Sequence, residues 1–264
     1  MPLRENTREN WDAAAGEYQA VFRFGLNEYN ASLLRFWHEE GMLFPGARVI
    51  DIGCGVGKYG TYLAELGYDV TLTDISEKML ENARENMARY RTPWAVYCCD
   101  FHEATGREPV LAARFDLAIS TMSPAVCDAA SVRKMSGMTR GWCFLARFCD
   151  WEQPFRDTLM RELGMEPRPV FRELKEDCAS MLQAVAEAGF VPRVKVVDYN
   201  WEDRRTPEQM TETMLRRFFS EEERGSVGGE LLRLIQTHAI EDGTVLDAVH
   251  TKVNWIWWKP ESGI

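Results

Sequence analysis

The run Val49-Ile50-Asp51-Ile52-Gly53-Cys54-Gly55-Val56-Gly57 constrains the fold more than any other segment of the chain. An apolar stretch carries an acid near its end, and three glycines alternate directly after it. A short apolar run of this kind suits a strand buried on both faces. Alternating glycines let the backbone turn tightly and bring its amides against a ligand. The segment therefore predicts a strand, a turn and a helix, with a small molecule held at the mouth of the turn. Asp51 adds a charge argument. It would repel a pyrophosphate and suits a ligand that carries an amino group or a positive charge.

Around this run, short apolar stretches alternate with amphipathic ones. Strands are expected at 48–52, 69–73, 94–99, 115–121 and 141–149, with helices at 58–66 and from Glu77 to about Tyr90, the latter capped by Ser76. Strand–helix alternation implies a parallel sheet with helices on both faces. Residues 1–45 read as a helical cap, because Trp11, Ala15 and Tyr18 recur at helical spacing. Residues 46–264 form the main domain. Two insertions interrupt it, an irregular excursion at about 150–175, rich in proline, and a helical block at 202–243 broken at Gly228-Gly229. The excursion leads to a helix at 177–188. A sixth strand is expected at 191–201 and a seventh at 245–258. The 202–243 block exceeds ordinary linker length. It suits either a lid over an acceptor pocket or a solvated helical pair or dimer contact.

Bulk properties exclude several classes. Net charge is −10, and the arginine pairs Arg204-Arg205 and Arg216-Arg217 are flanked by acids. A nucleic-acid partner, which needs a basic face, is not expected. No apolar run reaches the roughly 18 residues of a membrane span. The start of the chain has no apolar signal core. The seven cysteines show no C-x-x-C pair, so zinc-site spacing is absent and no metal is expected. Buried thiols in a reducing cytoplasm fit that count.

Three glycine-loop chemistries compete. A P-loop fails, because Ile52 and Tyr59 stand where glycine and Ser/Thr are required. Gly55-x-Gly57-x-x-Gly60 matches a dinucleotide fingerprint, yet Asp51 works against the anion that such a loop cradles. The third ligand, S-adenosylmethionine, has no phosphate, one sulfonium and one ammonium group, and for it Asp51 is an asset.

Here the sequence resembles the class I S-adenosylmethionine-dependent methyltransferases, through Asp51-x-Gly53-x-Gly55-x-Gly57 and three further strand ends. The resemblance implies that Asp51, Gly53, Cys54, Gly55 and Gly57 surround the cofactor. It implies that Asp74 binds the ribose hydroxyls and that Ile75 packs on the adenine. Asp100 would accept from the adenine amino group while the Phe101 amide donates to the ring. The strand Phe115–Ser120 matches the fourth family strand, with Ser120 beneath the transferred methyl. Trp11 and Tyr18 resemble aromatics that fold over the cofactor in small-molecule members, with plain core packing as the competing reading. Each acid also has an ordinary alternative, as a strand-end turn, a helix cap or a surface loop residue. The match covers residues 10–150 well and 176–258 by topology only.

The acceptor is poorly encoded. Thr121-Met122-Ser123-Pro124-Ala125-Val126 lacks the second proline and the aromatic of the amino-methylating [DNS]-P-P-[FYW] pattern. His102, Tyr59 and Ser123 are the candidates for a catalytic role. A base is required only for a neutral hydroxyl or an acidic carbon. The alternating Trp255, Trp257 and Trp258 read as core packing rather than an aromatic cage.

The expected protein is thus a Rossmann-like α/β enzyme. Its sheet has seven strands with the last antiparallel, as the resemblance implies. It would move a methyl group from S-adenosylmethionine to a small molecule, releasing S-adenosylhomocysteine, as a cytoplasmic monomer or homodimer. A tRNA or protein methyltransferase, a non-catalytic S-adenosylmethionine-binding module and, more distantly, an oxidoreductase are the alternatives.

Overall fold

The computed structural model describes residues 6–104, 114–167 and 174–260. The first five residues of the expected cap, and residues 168–173 of the expected excursion, lie outside that set. The chain divides into two compact units. The larger holds the described residues of 5–147, 176–196 and 254–260, and the other those of 148–175 and 197–253.

In chain order the larger unit begins with α1 (Arg8–Val21) and α2 (Glu28–Glu39). It continues through β1 (Arg48–Ile52), α3 (Lys58–Glu65), β2 (Asp69–Asp74), α4 (Glu77–Met87) and β3 (Trp94–Cys98). β4 (Phe115–Thr121), α5 (Ala129–Gly137) and the first part of β5 (Thr139–Glu152) follow. Thr7 and Asn27 cap α1 and α2, each accepting from the amide three residues on, which fixes where the helices start.

β1 pairs in parallel with β2 on one side and with β4 on the other, with Ile52 level with Thr73 and Asp51 level with Ile119. The sheet order is β3-β2-β1-β4-β5-β8-β6, where β6 is Arg193–Asp198 and β8 is Val245–Trp258. All seven residues of β4 are buried, as a central parallel strand covered on both faces requires. β3 is the edge and leaves Tyr97 exposed. The direction of winding reverses between β1 and β4. Ligands of open α/β sheets bind outside the carboxyl ends of the strands at such a switch point.

One core cluster joins Ile50, Ile52, Phe115 and Ala118 to Met135, Val185, Ile256 and Trp258. The tryptophans of β8 are core residues, as expected. Trp255 donates to the Tyr29 hydroxyl (3.0 Å) and Trp258 to the Ser136 hydroxyl (2.9 Å), as a buried indole N–H usually does, whereas the buried Trp257 N–H has no partner among the described residues. A second cluster seats α1 through Ala14, Ala15 and Phe22 against Val56 and Met79.

The other unit contains α6 (Pro154–Glu162), β7 (Trp201–Arg205), α8 (Pro207–Phe218) and α9 (Glu221–Thr237), with parts of β5 and β8. Its own core gathers Leu159, Met160, Met210, Met214, Phe219, Leu231, Ile235 and Val245.

Several expectations are corrected here. The proline-rich excursion contains a regular helix, because Pro154 occupies the first helical turn, where its missing N–H costs nothing. The following helix, α7 (Leu174–Glu187), starts three residues earlier than expected. β5 is longer than 141–149 at both ends. The single strand expected at 191–201 is two strands, giving eight among the described residues in place of seven. The chain breaks at Tyr199-Asn200, where Tyr199 donates its amide to Thr251 O (2.9 Å) and Asn200 Oδ1 accepts from the Thr251 amide (3.0 Å). β7 then pairs antiparallel with the start of β8. Gly228-Gly229 does not break the helical block, since α9 runs through it. The break falls at Phe219-Ser220, where Ser220 and Glu223 form a reciprocal capping box.

Candidate functional site

The glycine loop is shaped by its backbone. Gly53, Gly55 and Gly57 have φ of 74°, 55° and 81°, a left-handed region that glycine enters without strain. The amides of Gly53 and Cys54 both donate to Thr73 O, at 2.8 and 2.9 Å, tying the loop to the end of β2. The glycines differ in purpose. A Cβ on Gly53 would lie 1.9 Å from Ser123 Oγ, so the loop and the segment after β4 touch there. A Cβ on Gly55 would meet nothing within 4 Å. Gly57 caps α3 and faces Ala83 of α4, while Gly60 faces Leu72 of β2. Those last two serve helix packing.

A cleft of about 570 Å³, open to solvent, lies over these strand ends. Of the residues singled out in the sequence, Trp11, Tyr18, Gly53, Gly55, Asp74, Ile75, Asp100, Phe101, His102 and Ser123 line it. All belong to the larger unit. Asp51, Cys54, Gly57, Tyr59 and Ser120 are not in the lining. Tyr59 sits in the first turn of α3 against Tyr62, with ring centroids 6.2 Å apart. Seven lining residues were not anticipated: Asn6, Thr73, Met79, Cys99, Met122, Pro124 and Ala125.

Asp74 organises one wall. Its Oδ2 accepts from the Gly55 amide and its Oδ1 from the Ser76 amide, both at 2.9 Å. A carboxylate has about four lone-pair sites, so each oxygen retains capacity for a ligand hydroxyl. Burial raises the Asp74 pKa above its ordinary value, opposed by the amides of Ser76, Gly55 and Ile75.

Asp51 lies beneath the loop, 1% exposed. Neither side-chain oxygen has a hydrogen-bond partner among the described residues. Burial first, and the Asp74 charge second, push its pKa up to about 8. An unpaired buried carboxylate is costly, and it marks a place where a cationic ligand group gains most. At the neighbouring end of β4, the hydroxyls of Ser120 and Thr121 are also buried without partners. Asp51, Ser120 and Thr121 thus leave polar atoms unanswered at the two strand ends that flank the switch point.

The segment after β4 is held under tension. Met122 has φ of 52°, the one positive value outside glycine among the described residues, and costs about 1–3 kcal/mol in such a position. Arg147, at the end of the larger unit's part of β5, secures it. Its guanidinium donates to Ser120 O (3.0 Å), Ala146 O (2.9 Å) and Val126 O (2.8 Å). Burial lowers the Arg147 pKa to about 10. Neither Met122 nor Arg147 carries a local sequence signal, since both depend on β4–β5 pairing.

α1 closes the opposite side. Asp12 accepts from the Ser76 hydroxyl (2.5 Å) and the Lys78 amide (3.3 Å), placing an acid at the N-terminus of α4. Gln19 and Asn86 exchange two hydrogen bonds (3.1 and 3.0 Å), and Asn86 also donates to Val56 O (2.9 Å). Trp11 and Tyr18 meet edge to face at 6.1 Å. On the far rim, Asp100 Oδ1 accepts from the amides of His102 (2.9 Å) and Glu103 (3.3 Å). Phe101, in contrast, is buried in the main core cluster and also contributes to the cleft lining.

Residues 49–140 match the family described as a methyltransferase domain. Over 79 residues the chain is 37% identical to the ribosomal RNA small subunit methyltransferase C of Alcanivorax borkumensis, covering 30% of this chain and 24% of that protein. It is 34% identical over 84 residues to the malonyl-acyl-carrier-protein O-methyltransferase of Enterobacter lignolyticus, covering 31% and 30%. The matches therefore span less than a third of either relative. Among solved structures, phosphoethanolamine N-methyltransferase 2 of Haemonchus contortus, in complex with phosphomonomethylethanolamine and S-adenosylhomocysteine, is similar with a TM-score of 0.52 and 18% identity. That likeness covers 94% of this chain and 57% of the other, and it establishes a shared fold.

Proposed function

We propose that this chain, whose central domain is a class I S-adenosylmethionine-dependent methyltransferase domain, transfers a methyl group from S-adenosylmethionine to a small-molecule acceptor. The observation that carries this reading is Asp51, a buried carboxylate with both oxygens unpartnered directly before the glycine loop. A dinucleotide's pyrophosphate would oppose ionisation of that carboxyl, whose pKa burial already raises to about 8. A sulfonium amino acid brings two positive charges instead.

The residues present fit that cofactor. Asp51 and the backbone of Gly53 and Gly55 would receive its amino-acid end. Asp74 would take the ribose hydroxyls with its remaining lone pairs, Ile75 would pack on the adenine, and Asp100 and the Phe101 amide would read the adenine edge. Trp11 and Tyr18 would cover it from α1. Bound S-adenosylmethionine supplies an activated methyl group, which leaves the protein to align the acceptor. Proximity and orientation of this kind are worth about 7–11 kcal/mol. Ser123, against Gly53 at the cleft, and His102 at its rim would orient an acceptor.

A small acceptor is favoured by the net charge of −10, which gives no electrostatic attraction for RNA. Incubating the protein with methyl-labelled S-adenosylmethionine and a fractionated cell extract tests the reading. Label should appear in the low-molecular-weight fraction. Label confined to RNA or protein would replace this acceptor class with a macromolecular one.

A further inference from the structure

The segment after β3 and the segment after β4 converge at the rim of the cleft. There His102 Nε2 lies 3.8 Å from Cys127 Sγ. A carboxylate oxygen of Asp128 joins them, and the three ligand atoms all lie within 4.8 Å of one another. We propose that His102, Cys127 and Asp128 form a three-ligand site for a borderline divalent metal ion, zinc(II) above all.

The donor set is one imidazole, one thiolate and one carboxylate. This mixture suits zinc, which takes nitrogen, sulfur and oxygen ligands, and does not suit calcium or magnesium, which take oxygen alone. The spacing agrees. With ordinary Zn–S and Zn–N bonds at a tetrahedral angle, sulfur and nitrogen stand about 3.6 Å apart. The observed 3.8 Å needs little adjustment. The widest separation, within 4.8 Å, closes by about an ångström, which exposed side chains achieve by small rotations.

Both halves of the site are fixed to one helix. Asp128 Oδ1 caps α5 by accepting from the Ser131 amide (2.7 Å) and hydroxyl (2.6 Å). The Cys127 amide donates to Ser131 Oγ (3.1 Å). From the same helix, Lys134 Nζ reaches the carbonyls of Phe101 (2.5 Å) and His102 (3.0 Å). The His102 amide is held in turn by Asp100. Contacts that fix ligands before the metal arrives govern affinity almost as strongly as the ligands themselves.

On binding, a sulfur–metal bond forms and the thiol proton passes to solvent, with no change in oxidation state. Three protein ligands leave a tetrahedral ion one position for a solvent or substrate atom. His102 lines the cleft, so that position is open to a solvent or ligand atom from it.

Cobalt(II) is the probe. Titrating it into the reduced full-length chain should give a sulfur-to-cobalt charge-transfer band in the near ultraviolet, saturating at one equivalent and abolished by zinc(II). Cys127→Ser should eliminate the band. His102→Asn and Asp128→Asn should each weaken cobalt binding at least tenfold, and Asn at 128 keeps the helix cap. Thermal melts of each variant establish that it is folded. Failure to produce the band, or a band that survives Cys127→Ser, would overturn the proposal. S-adenosylhomocysteine affinity, measured on the same samples, tests the methyltransferase reading separately.

Discussion

Gly55 donates its amide to Asp74 Oδ2 at 2.9 Å, which fastens the middle of the glycine loop to the acid that ends β2. The same carboxylate receives the amide of Ser76, the cap of α4. Loop shape and helix start therefore depend on one side chain, and a ligand held by Asp74 meets a loop already in place.

Replacing Asp74 should reveal this double duty. A hydrogen bond to a charged group contributes about 1.5–3 kcal/mol. Asp74→Ala is expected to lower unfolding free energy by that order and to weaken S-adenosylhomocysteine binding more than tenfold. Asp74→Asn, which keeps one acceptor oxygen, should recover part of the stability and less of the affinity. Urea melts and titration calorimetry separate the two effects.

Three buried acids with raised pKa set the pH dependence, and Asp74 is one of them. Asp51 is raised from an ordinary 3.8 to about 8, and Asp247, in the smaller unit, from 3.8 to about 6, each mainly by burial. Between the unfolded and folded values the folded state binds more protons, so stability falls as pH rises. The ligand-free protein should lose stability from about pH 4 to 6 through Asp51 and Asp247, and on to about pH 8 through Asp51. Asp51→Asn should flatten the upper part of that decline and Asp247→Asn the lower. Denaturant melts at a series of pH values provide the check.

Gly53→Ala should be among the most damaging single-methyl changes in the chain. Its Cβ would stand 1.9 Å from Ser123 Oγ on a backbone with φ of 74°. Ser123→Gly in the same chain relieves the contact but leaves the backbone strain of about 1–2 kcal/mol. The double variant should therefore recover part of the lost melting temperature and no more. Full recovery would mean that only the contact matters.

Arg147→Met should loosen the segment after β4. The carbonyls of Ser120, Ala146 and Val126 lose the guanidinium, Ala146 O keeps the Met122 amide as a donor, and each buried group left unsatisfied costs about 1–3 kcal/mol where water cannot reach it. Met122 would no longer be held at its positive φ. The expected result is a raised KM for acceptor with smaller change in cofactor affinity, read by steady-state kinetics.

Much of the larger unit was legible because its signals are local. Phe115–Thr121 and Val245–Trp258 were bounded correctly, since a mostly apolar run in the first and alternating apolar residues in the second stand between polar breaks. Asp51, Asp74 and Asp100 stood out because each follows such a run. What escaped depended on distant partners. Val191–Trp201 reads as one strand until Thr251 engages Tyr199 and Asn200. The glycine pair at 228–229 looks like a break, yet the capping box at Ser220 decides where the helix starts. His102 and Cys127 are 25 residues apart, so the absence of C-x-x-C spacing says nothing about their meeting in space.

The most direct test of the central claim is calorimetric titration of the full chain with S-adenosylhomocysteine and, separately, with NADH and NADPH. The account predicts one site of micromolar affinity for S-adenosylhomocysteine, greatly weakened by Asp51→Asn in a folded variant, and no heat from either dinucleotide. Binding of a dinucleotide with no binding of S-adenosylhomocysteine would contradict it.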